Sequence, residues 1–220
     1  MSTPVLSTPD PSLQARALRH ASLTEALSRQ EKPGKGGREL AERLRWPLLR
    51  EAIHLIDEGA TPLQVDRALV RFGFTAAPLA AMDQQGLAAF ADIGPDAGPA
   101  LPMWRLRYSP TLDLMLDAGR GGAVSGKGWY RYGADGRNPR EDPELEELLR
   151  DSSHAQRLRR LPLADSVIVE RCLQAMLTAA EALIRDGSAR DVEIDAASTR
   201  WLGFPRRRGG LLYHAARVAV

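Results

Sequence analysis

Two segments of this chain share one pattern of residues, and this repeat constrains its fold more than any other feature. Residues 43–74 and 171–204 each contain a long amphipathic stretch, a glycine, a short polar turn, a second amphipathic stretch and a Gly-Phe pair. Apolar residues at helical spacing indicate helices, and glycine is the residue that most often ends one. Each segment therefore predicts two helices joined by a turn. The shared anchors are an arginine, a glycine and a Gly-Phe pair: Arg43/Arg171, Gly59/Gly187 and Gly73-Phe74/Gly203-Phe204.

The fold predicted from this pattern is all-α, with two related helical modules packed on each other. Residues 1–37 are expected to form a flexible tail and linker, because they begin rich in Ser, Thr and Pro and end in EKPGKGG. The first module is expected over residues 38–140 and the second over 141–220. No alternating βαβ pattern is present, so β-structure is limited to at most a short hairpin near Trp129.

Charge and composition narrow the classes of partner. The chain has 30 Lys and Arg against 28 Asp and Glu, a net charge of +2, so no global charge favours nucleic acid or an anionic membrane. No stretch approaches the roughly 18 apolar residues of a membrane span, and no secretory signal is visible, so a cytoplasmic location is expected. The single Cys172 and four dispersed histidines give no metal-ligand spacing. No metal site is predicted.

A glycine-rich stretch admits two interpretations. Residues 121–127 (GGAVSGK) match the first part of a P-loop, but Gly128 follows where that motif has Ser or Thr. A P-loop also follows a strand and opens a helix, whereas here a predicted helix precedes and an extended WYRY follows. We therefore favour a tight surface loop that needs glycine dihedrals. No G-x-G-x-x-G fingerprint is present either, so no cofactor is expected on this chain.

Several motifs follow one another in order between residues 38 and 220. They are Pro47-Leu48-Leu49-Arg50-Glu51-Ala52, Phe72-Gly73-Phe74, Ala77-Pro78, Asp83 with Gly86-Leu87, Gly126-Lys127-Gly128-Trp129-Tyr130, and the run from Pro205 to Gly210. This order resembles the C-terminal helical region of 3-hydroxyacyl-CoA dehydrogenases, especially the multifunctional fatty-acid oxidation proteins that carry the region twice. The resemblance implies the 6-phosphogluconate dehydrogenase C-terminal-like fold and a role in fatty-acid β-oxidation.

The resemblance also marks candidate substrate-binding residues, which are Glu42, Ser125 and Lys127. Glu42 takes the place of the family's active-site Asn, so an acceptor replaces an amide donor. It is expected near the start of the first long helix, predicted from about Arg38, at the edge of the groove where a nucleotide-binding domain would dock. In the same resemblance, the family's Gly and Glu around its Gly-Pro-Phe-Glu align with Ala77 and Ala80, and the Lys of its Lys-Thr-Gly aligns with Val124.

The family's nucleotide-binding domain, with its catalytic His and Glu, has no counterpart in these 220 residues. No complete catalytic set is therefore expected, and the chain alone is predicted to be inactive as a dehydrogenase. The leading hypothesis is a stand-alone or split module of acyl-CoA and fatty-acid metabolism. Its expected partners are a separate NAD-binding-domain subunit or a second copy of the chain, and acyl-CoA is the expected ligand. The alternatives are a scaffolding or binding protein that keeps only the fold, and an independent enzyme with a new site.

Overall fold

The computed structural model of the chain describes residues 35–91 and 109–218, and in these ranges the chain is helical. Eight α-helices are present: α1 (Lys35–Glu58), α2 (Pro62–Phe72), α3 (Pro78–Gln85), α4 (Thr111–Asp117), α5 (Pro143–Ala155), α6 (Asp165–Arg185), α7 (Asp191–Arg200) and α8 (Leu211–Val218). The described part contains no β-strand, and near Trp129 only isolated antiparallel bridges occur, such as that between Lys127 and Arg131. The all-α prediction is confirmed.

Helix α1 begins earlier than its sequence indicates. The helix was predicted from about Arg38, whereas it starts at Lys35, three residues earlier. The tail and linker over residues 1–37 stay a prediction, and residues 1–34 lie outside the described ranges. Gly37 disfavours a helix by its entropy. It nevertheless lies in the first turn of α1, where a Cβ would stand 3.2 Å from the indole nitrogen of Trp201. Packing of Trp201 against this turn outweighs the low helix propensity of glycine.

Helices α1 and α6 pack side by side and form the centre of the core. Each contributes a stripe of fully buried apolar residues, for example Leu44 and Ile56 from α1 and Cys172 and Met176 from α6. The spacing of these residues is that of one helix face, so the amphipathic stretches read from the sequence face each other. Burying one such side chain contributes about 1.5–3 kcal/mol.

Ion pairs cross between these two helices in a reciprocal way. Arg171, near the start of α6, pairs with Glu58 at the end of α1 and with Glu51 at 2.6 Å. Arg43, in the N-terminal half of α1, pairs with Asp186 at 4.0 Å, just after the end of α6. Each arginine thus pairs with the acidic residue next to the glycine that ends the other helix, Glu58 before Gly59 and Asp186 before Gly187. These pairs show that α1 and α6 are antiparallel.

Two buried aspartates, Asp66 and Asp195, each hold the start of the helix that follows their own. Asp66 of α2 accepts hydrogen bonds from two backbone N–H groups at the start of α3, at 2.9 and 3.0 Å. Asp195 of α7 does the same at the start of α8, at 2.7 and 3.1 Å. The first N–H groups of a helix have no partner within it, so these carboxylates supply one. Residues 43–74 and 171–204 thus share their helix count and this capping role, while their origin by duplication stays a prediction.

The boundary between the two modules also stays a prediction. Helix α5 belongs to residues 141–220, the predicted second module, yet it packs against α1 and α4 of the first. Among the described helices, none is long and apolar enough to cross a membrane. The cytoplasmic location expected from the sequence remains an expectation.

Candidate functional site

A cleft of about 140 Å³ opens between α1, α3 and the segment that follows α7. Arg45 and Leu48 line it from α1, Ala81 and Met82 from α3, and residues 201–203 from the segment after α7. The lining is mostly apolar, and Arg45 is its charged member. Ligand sites of this kind combine apolar walls with a few polar groups that fix orientation.

The two Gly-Phe turns meet at this cleft. The Thr75 N–H donates a hydrogen bond to the Gly203 carbonyl at 2.9 Å, and the Phe74 and Phe204 rings pack edge to face with centroids 5.7 Å apart. Gly73 has φ +123 and Gly203 has φ +80, a region that L-residues rarely adopt. These glycines therefore allow the turns that bring residues 201–203 to the cleft.

Glu42 lies one helical turn before Arg45, beside the cleft. Its carboxylate is 3.4 Å from the Arg45 guanidinium, and its side chain is 41% exposed. Because α1 begins at Lys35, Glu42 lies beyond the first turn, where the charge of a helix N-terminus no longer acts. Its expected place near the helix start is wrong for this reason. Its role in substrate binding stays a prediction.

Ser125 and Lys127 lie in the glycine-rich loop and are not among the residues that line the cleft. The Ser125 hydroxyl accepts a hydrogen bond from the Gly121 N–H at 2.9 Å and lies 2.9 Å from the carbonyl oxygens of Gly122 and Lys127. The hydroxyl therefore closes the loop on itself. The structure does not bring Glu42 together with these two residues in one lining, and their substrate-binding role stays a prediction.

The glycine-rich loop is followed by isolated bridges and not by a helix, so it lacks the helix N-terminus of a P-loop. It packs instead on the buried Asp83 of α3. The Asp83 carboxylate accepts hydrogen bonds from the backbone N–H groups of Trp129 at 2.9 Å and Tyr130 at 3.0 Å, and from the Tyr132 hydroxyl at 2.9 Å. A Cβ on Gly128 would overlap this carboxylate. The glycine is therefore explained by packing.

A second aspartate extends this network to α2. The Tyr130 hydroxyl donates to Asp66 at 2.7 Å, so one tyrosine links the loop to both aspartates. Burial raises the pKa of Asp83 to about 6 although its hydrogen bonds favour the charged form, and burial also raises the pKa of Asp66. These carboxylates hold backbone in place and do not face the cleft lining.

We expect the free energy of unfolding to fall as the pH rises from 5 to 8. Burial raises the pKa of Asp195 to about 7 and the pKa of Asp83 to about 6. An aspartate in the unfolded chain has a pKa of about 3.9. The folded chain thus binds protons that the unfolded chain has released. Their stabilising effect is complete below the unfolded pKa and is lost as the pH passes the folded pKa. Each group contributes at most about 1.4 kcal/mol per pH unit.

Urea unfolding at pH 5 and pH 8 measures this dependence. Asp142, Asp186 and Glu193 have lowered pKa values and act in the opposite direction, but only below their unfolded pKa near about 4. Between pH 5 and 8, His214 also opposes the raised groups, because burial lowers its pKa, so the contribution of Asp195 is obtained by comparing the wild-type chain with a variant. Asp195→Asn should flatten the dependence, and a slope unchanged by this substitution would refute the assignment to Asp195.

Sequence reasoning missed two aromatic residues of the cleft, Phe90 and Trp201. Phe90 follows α3 in a 3-10 turn, and its ring packs edge to face on Trp46 of α1 with centroids 5.7 Å apart. Trp201 follows α7. Neither belongs to a motif, so no signal in the sequence marked them. Within residues 35–91 and 109–218, no group of three or more His, Cys, Asp or Glu is placed to hold a metal ion.

Comparison with known proteins finds the same family as the order of motifs in the sequence. Residues 40–132 match the family model described as 3-hydroxyacyl-CoA dehydrogenase, C-terminal domain. The peroxisomal bifunctional enzymes of Danio rerio and Homo sapiens are 33% and 30% identical over 193 and 197 residues, each match covering 82% of this chain. The chain spans 27% of the length of both relatives. The resemblance read from the sequence is confirmed.

One solved structure shows the same fold. It is the dehydrogenase part of multifunctional enzyme 1 from C. elegans, with a TM-score of 0.61 and 22% sequence identity. The match covers 77% of this chain and 37% of that one. The helical arrangement described above is thus also found in a crystal structure.

Proposed function

Because residues 40–132 form a 3-hydroxyacyl-CoA dehydrogenase C-terminal domain, we propose that this chain binds the acyl group of a coenzyme A thioester in the cleft between α1, α3 and residues 201–203. The lining of the cleft carries this proposal. Leu48, Met82 and Phe90 offer an apolar surface, and Arg45 supplies one positive charge. An acyl chain is apolar while coenzyme A is anionic, so this combination suits the thioester.

We propose that oxidation of the bound substrate needs a nucleotide-binding domain outside these 220 residues. Hydride transfer requires a nicotinamide cofactor and a positioned base, and the cofactor binds through a G-x-G-x-x-G fingerprint that this sequence does not contain. The chain also corresponds to only 27% of the bifunctional relatives. A nucleotide-binding subunit docked beside Glu42 would face the cleft, and it could be supplied by a separate chain.

A second candidate is a binding or scaffolding protein without chemistry. The specific observation in its favour is the ion pair between Glu42 and Arg45 at 3.4 Å. Glu42 stands at the position of the family Asn, and its carboxylate interacts with Arg45, the charged residue of the cleft. Ala80 and Val124 also stand where the family carries a Glu and a Lys, so two further polar groups are lost. This candidate retains the fold and predicts no affinity for acyl-CoA.

Calorimetry on the purified chain distinguishes the two candidates. We expect saturable heat with butyryl-CoA and none with NAD. Ala81→Trp places a large side chain in the cleft and should weaken binding of butyryl-CoA at least about tenfold. Ala155→Trp is the matched control, because Ala155 is exposed on α5 and does not line the cleft.

Each outcome of this titration decides something. No heat with butyryl-CoA would reject the acyl-CoA function and favour the scaffolding candidate. Equal affinity in Ala81→Trp and Ala155→Trp would place the ligand outside the cleft. A saturable heat with NAD at one site per chain would overturn the need for a separate nucleotide-binding domain.

A further inference from the structure

We infer that Trp201 determines the length of acyl chain that the cleft accepts and restricts it to short chains. This inference rests on the function proposed above and deepens it. Trp201 follows the last residue of α7 and lines the cleft from the second module. It is the largest side chain in that lining, and its rigid ring system makes it an effective wall.

The indole reaches from the cleft to the first turn of α1. The guanidinium of Arg38 lies over its ring, 4.8 Å from the centroid. Gly37 lies so close that a Cβ there would stand 3.2 Å from the indole nitrogen. Because a helix rises about 1.5 Å per residue, Gly37 lies about 12 Å along α1 from Arg45, on the N-terminal side of the cleft. Trp201 thus closes the cleft on that side.

The cleft is partly open to solvent, and its volume limits the length of acyl chain that it can bury beside Trp201. A cavity of about 150 Å³ holds a benzene molecule, which has six carbon atoms. The cleft of about 140 Å³ therefore suits an acyl group of roughly four to six carbons. Trp201 is only partly buried, so removing the indole would open the cleft toward solvent beside Gly37. A longer chain could then pass along α1.

Arg38 is a positioning residue for this wall. Its side chain is exposed and stacks on the indole from the solvent side, which favours one orientation of the ring. Substitution of Arg38 should loosen the wall without removing it. Because Arg38 is exposed, this substitution also tests the inference without a large effect on folding.

The test compares butyryl-CoA and decanoyl-CoA binding to the full 220-residue chain by calorimetry. The wild-type chain should prefer butyryl-CoA. Trp201→Ala should raise the affinity for decanoyl-CoA about tenfold or more relative to butyryl-CoA. Arg38→Ala should shift the preference in the same direction by a smaller factor, and Trp201→Phe should shift it little.

Tyr213→Ala is the matched control. Tyr213 is a partly buried aromatic residue of the second module and lies under an arginine, with the Arg217 guanidinium 5.7 Å from its ring centroid, but it does not line the cleft. Its removal should leave the ratio of the two affinities unchanged. A shift equal to that of Trp201→Ala would show a general loosening of the module and would overturn the role of Trp201.

Failure of the inference and failure of the proposed function are separable. If the wild-type chain binds neither thioester, both fall. If it binds butyryl-CoA and Trp201→Ala leaves the preference unchanged, the inference falls and the acyl-CoA function stands. If circular dichroism shows that Trp201→Ala does not fold, Arg38→Ala and Trp201→Leu replace it as test variants. An unchanged ratio of butyryl-CoA to decanoyl-CoA affinity in both would overturn the inference.

Discussion

Replacing Arg120 by alanine is expected to lower the free energy of unfolding by about 3–5 kcal/mol. The Arg120 side chain is 3% exposed and lies 2.5 Å from the fully buried carboxylate of Asp142. It also donates a hydrogen bond to the Gly128 carbonyl at 3.0 Å. Burial alone would raise the pKa of Asp142, but the hydrogen bond and charge of Arg120 hold that pKa below its ordinary value. Removing the guanidinium leaves a buried charge without its buried partner.

Arg131 is a matched control on the same carboxylate. It lies 3.0 Å from Asp142, but its side chain is 51% exposed and water can replace it. Arg131→Ala should therefore cost less than about 1 kcal/mol. Urea unfolding of both variants at neutral pH measures the difference. Equal losses for the two arginines would show that burial of the Arg120–Asp142 pair does not govern its contribution.

Gly128→Ala is expected to destabilise the chain by about 3 kcal/mol or more. A methyl group at this position would overlap the Asp83 carboxylate, so the glycine-rich loop would have to move away from α3. Overpacking alone costs about 1–3 kcal/mol. The movement would also weaken the hydrogen bonds from Trp129 and Tyr130 to Asp83, and a buried donor that loses its partner costs about 1–3 kcal/mol.

Gly126 provides the comparison within the same loop. It has φ +78, but no heavy atom lies within 4 Å of the position a Cβ would take. Gly126→Ala should therefore cost only the conformational term, about 1–2 kcal/mol. Chemical denaturation of both variants tests this order. A larger loss for Gly126→Ala than for Gly128→Ala would mean that backbone strain, and not contact with Asp83, governs the loop.

The Gly128→Ala and Gly126→Ala variants also test whether residues 121–127 act as a phosphate-binding loop. If the loop held a phosphate, its glycines would affect nucleotide affinity more than stability. The contacts of Gly128 with Asp83 and of Ser125 with its own loop predict the reverse. The pattern GGAVSGKG is then explained by the close approach of the loop to α3.

Local signals in the sequence were enough to predict the helices, the turns and the all-α class. Apolar residues at helical spacing and glycines such as Gly59 and Gly187 act over a few residues, so they can be read without knowing the rest of the fold. The order of short motifs was likewise sufficient for the family. The start of α1 was predicted too late, because Gly37 gains its helical place from a contact with Trp201 of the other module.

The candidate site depended on contacts between distant parts of the chain, and these only the tertiary structure decided. Trp201 and Arg45 both line the cleft because α1 packs on α6 and α7. Glu42 pairs with Arg45, a partner that the motif around Glu42 did not indicate. The buried Arg120–Asp142 pair has the same origin. Such contacts follow from how whole helices pack, a sum of many weak interactions that no short stretch of sequence contains.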